Sequence, residues 1–270
     1  MPPVDLPFLG LRAASSAEVV DKPIVLETEH LVSLCFGGRG MQSTMLREAP
    51  DALALGYTRT MMGFLLFQPE PACVGLIGLG GGSLVKYCYR NLPNTHLTAI
   101  EINPEVIALR DRFHVPPDDE RLTIICADAA QYLSTTTHTF DALLLDGFNA
   151  DGAPTELCSA AFYDGCRTRL NDNGVLVANL LGDDPRLGDC LARLRETFGP
   201  SVAIAPAEDS AGNVIVFAWK GDAPLPSLEA LIERADRHGV HHGIDLVETA
   251  VRIEVGASYD WTRLSACFAM

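Results

Sequence analysis

The sequence predicts a doubly wound α/β fold, a mostly parallel sheet with helices on both faces, preceded by a small β extension. Three observations carry this reading. Short apolar runs alternate with helical segments from Val74 to Trp219, the pattern of a parallel sheet covered on both sides. The first of these runs breaks into a glycine turn followed by a helix. Three of the runs end in a carboxylate, at Glu101, Asp128 and Asp146, and the carboxyl ends of parallel strands form the ligand crevice of such folds.

Taken in order, residues 1–20 are rich in Pro and Ala and read as a loose lead-in. Ile24–Glu29, Leu31–Phe36 and Met41–Met45 read as a small β-meander, with a turn at Gly37–Gly40. This gives an N-terminal unit over 1–50. Pro50–Phe67 reads as a helix, with Leu53, Tyr57, Met61, Phe64 and Leu65 near one face. Val74–Ile77 is the first core strand, followed by the turn Gly78–Ser83 and a helix over Leu84–Tyr89. Leu97–Ile100 is the second strand. Asn103 caps the next helix, with Pro104 at its first position and Val106, Leu109 and Phe113 as its apolar stripe.

Leu122–Cys126 and Phe140–Leu145 are the third and fourth strands. A polar loop, Gly147–Pro154, leads to a helix near 158–170, a strand over Gly174–Asn179 and a helix over 185–198. Val202–Ala205 and Asn213–Trp219 are the last two strands, joined too briefly for a crossover helix and therefore antiparallel. Residues 51–220 thus form the main unit. Gly221–Pro226 is a linker, Ser227 caps a helix over 228–238, and the tail is mixed, so 221–270 reads as an extension of the same domain.

With 270 residues and 48% hydrophobic content the chain can bury a sizeable core. A net charge of −15 and a pI near 4.7 argue against nucleic acid or anionic membrane as partner and favour cationic ligands. No stretch approaches about 18 uninterrupted apolar residues, the length a membrane span needs, and the N-terminus has no secretory pattern. The eight cysteines form no C-x-x-C pair; Cys126, Cys158 and Cys166 read as reduced core thiols of a cytoplasmic protein. His238, His241 and His242 are candidate metal ligands but read better as a polar loop, so no metal is expected. Ser43 and Ser159 have no base nearby in sequence, and no hydrolase triad is expected.

The glycine spacing narrows the ligand. Gly78, Gly80 and Gly82 spell G-x-G-x-G, whereas the dinucleotide fingerprint needs Gly where Ser83 stands, and there is no P-loop. An adenosine-bearing ligand without pyrophosphate, such as S-adenosylmethionine or a relative, fits best. Glu101, 23 positions after Gly78, suits the ribose hydroxyls. Asp128 suits the adenine amino group. Asp146, at the start of the longest polar loop, is placed to meet a second substrate.

From Gln42 to about Trp219 the chain resembles the spermidine synthase (polyamine aminopropyltransferase) family. The likeness lies in a short β region carrying Gln42, a helix with Tyr57, the glycine loop, the three acids, Phe162-Tyr163 and Asn173–Val177. It implies the Rossmann-like fold of S-adenosylmethionine-dependent methyltransferases, a mostly parallel seven-stranded sheet with the last strand antiparallel. It also implies transfer of an aminopropyl group from decarboxylated S-adenosylmethionine to a small amine such as putrescine. Gln42, Tyr57, Glu101 and Asp128 would then bind the nucleoside beside Gly78, Gly80 and Gly82, with Asp146 as base and Asn149 and Asp151 facing the amine. A homodimer built through the N-terminal region is a further implication.

Three positions depart from the family pattern. Gly81 stands where the family loop carries an Asp that meets the aminopropyl ammonium. Asn149 stands for the second carboxylate of D-S-S-D, with Asp151 as its nearest replacement, and Thr58 stands where a His is common. Methyl transfer from intact S-adenosylmethionine is therefore the alternative, since bare N–H groups at the glycine loop favour a ligand carboxylate. A non-catalytic nucleoside-binding protein is the second alternative.

Overall fold

The computed structural model describes residues 22–37, 41–147, 154–209, 212–239 and 243–259. Asn149, Asp151, His241, His242 and the side chain of His238 lie outside the described residues, as do 1–21 and residues 38–40, where a turn was expected.

Three strands, β1 (Pro23–Glu27), β2 (Leu31–Phe36) and β3 (Met41–Leu46), form the expected antiparallel meander. The helix expected from Pro50 begins only at Gly56, as α1 (Gly56–Met61), and tightens into a 3-10 turn over Met62–Leu66. The reason is local. The Arg59 guanidinium takes the carbonyls of Leu53 and Ala54 at 2.7 and 3.4 Å, which removes the acceptors that an earlier helical turn would use.

The main unit then runs β4 (Cys73–Ile77), α2 (Ser83–Asn91), β5 (His96–Glu101), α3 (Pro104–Ala108), β6 (Leu122–Cys126), α4 (Ala129–Thr135) and β7 (Phe140–Leu145). It continues with α5 (Ala160–Arg169), β8 (Leu170–Leu181), α6 (Leu187–Phe198), β9 (Val202–Pro206), β10 (Asn213–Trp219), α7 (Leu228–Gly239) and α8 (Leu246–Ala257). Asn103 caps α3 as expected, its side chain accepting the Glu105 N–H at 2.9 Å. Helix α8 falls in the tail that reads as mixed. Its signal was present in Asp245 and Glu248, a capping pair, and Asp245 Oδ1 accepts the Glu248 N–H at 2.8 Å.

The seven-stranded sheet has the order β6-β5-β4-β7-β8-β10-β9 and is parallel except for β10, which runs against both neighbours. Successive side chains on each strand go to opposite layers. Ala142 and Leu144 of β7 join one core with Val175, Val177, Ile215 and Phe217, while Phe140, Leu143 and Leu145 join the other with Leu176, Ala178 and Val216. Each such fully buried Leu or Phe contributes about 1.5–3 kcal/mol, which makes the sheet a rigid platform for the loops at its ends.

Cys158 and Cys166 are buried as expected, but Cys126 is exposed. It sits at the end of β6, an edge strand, where only one flank is covered.

Candidate active site

The strand order reverses between β4 and β7, and the crevice opens there, where topology leaves the strand ends uncovered. Gly78 follows β4 with φ of 94°, and a Cβ on it would lie 2.4 Å from the Asp146 carbonyl oxygen. Only glycine lets the two strand ends close up in this way. Gly82, at φ 69°, is the N-cap of α2. Gly81 is packed rather than open: a Cβ there would lie 2.6 Å from Ser43 Oγ and 2.9 Å from Phe113 Cδ1. An Asp in this place requires both side chains to give way. Phe113 in turn is held from behind by the buried Lys86, whose ammonium donates to its carbonyl at 2.7 Å. Burial draws the Lys86 pKa down to about 8.

Glu101 ends β5, and both its oxygens are fixed by backbone. Leu79 N–H donates to Oε2 and Asn103 N–H to Oε1, each at 2.9 Å. One carboxylate thereby joins the glycine loop to the turn before α3, and each oxygen keeps a lone pair for a further donor. Asp128 stands two residues past β6 and caps α4, its Oδ1 accepting the Gln131 N–H at 2.8 Å. The cap leaves Oδ2 unused.

Asp146 directly follows β7 at the floor of the crevice. Tyr57 donates its hydroxyl to Asp146 Oδ2 at 3.1 Å, and Asn179 donates Nδ2 to Oδ1 at 2.9 Å. Burial pushes the Asp146 pKa above the usual carboxylate range, against the lowering effect of these two donors. Burial, and then the Asp146 charge, push Tyr57 well above its ordinary value, so its hydroxyl stays a donor. Tyr57 also lies 3.4 Å from the Gln42 carbonyl, which ties α1 to β3.

The resulting cavity is about 660 Å³ and is lined by Gln42, Tyr57, Gly78, Gly80, Glu101, Asp128 and Asp146, among others. Of the eight sequence candidates within the described residues these seven line the cavity, while Gly82, the N-cap of α2, is not among its lining residues. Two polar residues went unread. Asn179 lies in β8 two residues before its end and holds Asp146 Oδ1, and Glu156 lines the cavity. Among the described residues there is no cluster of three or more metal-binding side chains.

Sheet order, switch-point crevice and strand-end carboxylates define a Rossmann-like protein with a ligand crevice at the carboxyl ends of its strands. The model of the spermine/spermidine synthase domain matches residues 54–187. The polyamine aminopropyltransferase of Neisseria meningitidis serogroup B is 36% identical over 241 residues, covering 88% of this chain and 90% of that protein. That of Chromobacterium violaceum is 34% identical over 244 residues, covering 90% and 93%. A spermidine synthase solved with the transition-state analogue AdoDATO shares the fold, with a TM-score of 0.67 at 18% identity over 91% of this chain and 89% of that one. The chain belongs to the spermine/spermidine synthase family, as Gln42, Tyr57 and the three strand-end acids lead one to expect.

Proposed function

We propose that this protein is an aminopropyltransferase of polyamine biosynthesis, with decarboxylated S-adenosylmethionine as donor, a small amine as acceptor and Asp146 as base. The observation that carries the chemical reading is the environment of Asp146. It is a carboxylate at the crevice floor whose two oxygens are each held by one neutral donor, Tyr57 and Asn179. An acceptor amine near pKa 10 arrives protonated, so a carboxylate must hold the ammonium and take its proton as attack begins. The amine nitrogen then bonds to the methylene beside the sulfonium, the carbon–sulfur bond breaks, and methylthioadenosine leaves as a neutral thioether. The acidic surface, net −15, favours the approach of cationic substrates.

In this reading Glu101 takes the ribose hydroxyls, Asp128 lies by the adenine, and Gln42 and the glycine loop flank the nucleoside. Glu101→Ala is expected to weaken methylthioadenosine binding at least about tenfold, the loss of a charge-assisted pair of hydrogen bonds. Calorimetry checks this, and an unchanged affinity would contradict the nucleoside site. The reaction itself is tested by spermidine formation from putrescine with the decarboxylated donor. Methyl transfer is favoured instead if the protein binds intact S-adenosylmethionine more tightly and makes no spermidine; the packed Gly81, with no acid to meet an ammonium, is the feature that keeps this second reading in play.

A homodimer and a cytoplasmic setting complete the proposal. Ile24 and Leu26 on β1, an edge strand of the small sheet, are 45% and 56% exposed, and a partner would cover them. The seven described cysteines are all free, which suits a reducing compartment. No helix among the described residues is long and apolar enough to cross a membrane. Light scattering at micromolar concentration is expected to give twice 29.1 kDa; a monomer would refute the dimer.

A further inference from the structure

Asp146 is the first member of a longer chain of side chains. Its Oδ1 accepts from Asn179 Nδ2 at 2.9 Å, and Asn179 Oδ1 accepts from Asn213 Nδ2 at 2.9 Å. Asp146 directly follows β7, and Asn179 and Asn213 lie on β8 and β10, the next two strands of the sheet. Because β10 is antiparallel, its first residue, Asn213, lies at the sheet end where β7 and β8 finish. Asn213 is opposite Leu181 and Ile215 is opposite Asn179, so the two asparagines are diagonal neighbours on one face of the sheet, within side-chain reach. Asn179 is buried, at 4% exposure, and cannot turn to water for another partner.

A buried amide in this position has two orientations of nearly the same shape and opposite chemistry. With its NH₂ toward Asp146 it stabilises the ionised carboxylate; with its oxygen forward it can face only the protonated acid. Packing does not choose between them, because the oxygen and nitrogen ends occupy nearly equal volumes. The choice falls to whatever stands behind the amide. Asn213 presents a donor there, which the Asn179 oxygen accepts, and that leaves the NH₂ end to face Asp146.

We propose that Asn213 is a positioning residue for the transfer, acting through Asn179 to keep Asp146 ionised and aimed at the acceptor amine. The proposal rests on the reading of Asp146 as the base. It also gives β10 a role beyond completing the sheet: reversing the last strand delivers a side chain to the catalytic end that a parallel strand would have carried to the opposite edge.

The test follows Asp146 directly. In protein labelled with ¹³C at the aspartate carboxyls, the resonance missing from Asp146→Asn identifies Asp146, and its titration requires no turnover. Asn213→Leu is expected to raise the Asp146 midpoint by about one pH unit, and to move the acid limb of kcat/KM by the same amount, with KM for the nucleoside unchanged. Asn179→Leu is expected to give at least that shift. The double variant Asn179→Leu/Asn213→Leu is expected to give no more than Asn179→Leu alone, since Asn213 acts only through Asn179. Should Asn213→Leu fail to fold, Asn213→Asp keeps the side-chain shape and removes the donor. Comparing it with and without Asn179→Leu then separates the relay from the added charge. An Asp146 titration unmoved by the Asn213 variant, or a shift that adds fully to that of Asn179→Leu, overturns the proposal. Full transfer activity in Asp146→Asn overturns the base assignment beneath it, and that result is read first and separately.

Discussion

Asp146→Asn is expected to lower kcat by about 10²-fold or more while leaving methylthioadenosine affinity within about twofold of wild type. The amide is nearly isosteric with the carboxylate, so the crevice keeps its form, but it neither holds an ammonium nor accepts a proton. In the proposed function the nucleoside contacts fall elsewhere, on Glu101 and Asp128, and that separation predicts the split between kcat and binding. A second measurement bears on the same group. Burial raises the Asp146 pKa, and a base must be ionised, so kcat/KM is expected to fall as pH drops through a value above the ordinary carboxylate range. An acid limb at or below about pH 4, the unperturbed value, would contradict this, as would near-normal turnover in Asp146→Asn.

The parts of this site that could be read from sequence are those whose chemistry depends on strand ends. Glu101, Asp128 and Asp146 were legible because a charged residue that closes an apolar run has one place to go in a parallel sheet. Asn179 does not follow that rule: it lies inside β8, with Leu180 and Leu181 still to come, and a neutral amide in an apolar run carries no such signal. Asn213 was harder to see. It opens a strand instead of closing one; an antiparallel last strand was expected, but that β10 lies beside β8 and so brings Asn213 to this end of the sheet is a matter of strand order, which the short Pro206–Gly212 link does not reveal. Local patterns also failed where side chains compete with backbone. Pro50–Leu55 has helical periodicity, but Arg59 takes the carbonyls that a helix would need. Gly81 read as the loss of an acid; its space is filled by Ser43 and Phe113, so glycine is what that packing requires.

Gly56→Ala is expected to cost about 2–3 kcal/mol of stability, the upper part of the overpacking range, and to lower kcat roughly tenfold in the protein that still folds. Gly56 opens α1 directly against the loop between β9 and β10, and a Cβ there would lie 1.7 Å from the Glu208 carbonyl oxygen and 2.4 Å from its carbon. No rotamer relieves a clash with backbone, so helix and loop must part. They are fastened together at three further points. Glu208 N–H donates to Thr60 Oγ1 at 2.9 Å, Arg59 Nε donates to Glu208 Oε1 at 2.9 Å, and Arg59 Nη2 pairs with Asp209 Oδ2 at 2.9 Å. The next residue in α1 is Tyr57, whose hydroxyl holds Asp146. A displacement of about 1 Å suffices to lengthen that 3.1 Å bond beyond hydrogen-bonding reach, which is how a packing change at Glu208 reaches Asp146. Thermal unfolding and steady-state kinetics check the two effects together. Gly188→Ala in α6, where a Cβ would meet nothing within 4 Å, serves as the control and is expected to hold or raise stability by up to about 1 kcal/mol. A Gly56→Ala protein with wild-type melting and wild-type kcat would mean that α1 is not seated on Glu208 as described, and that Tyr57 is held by something else.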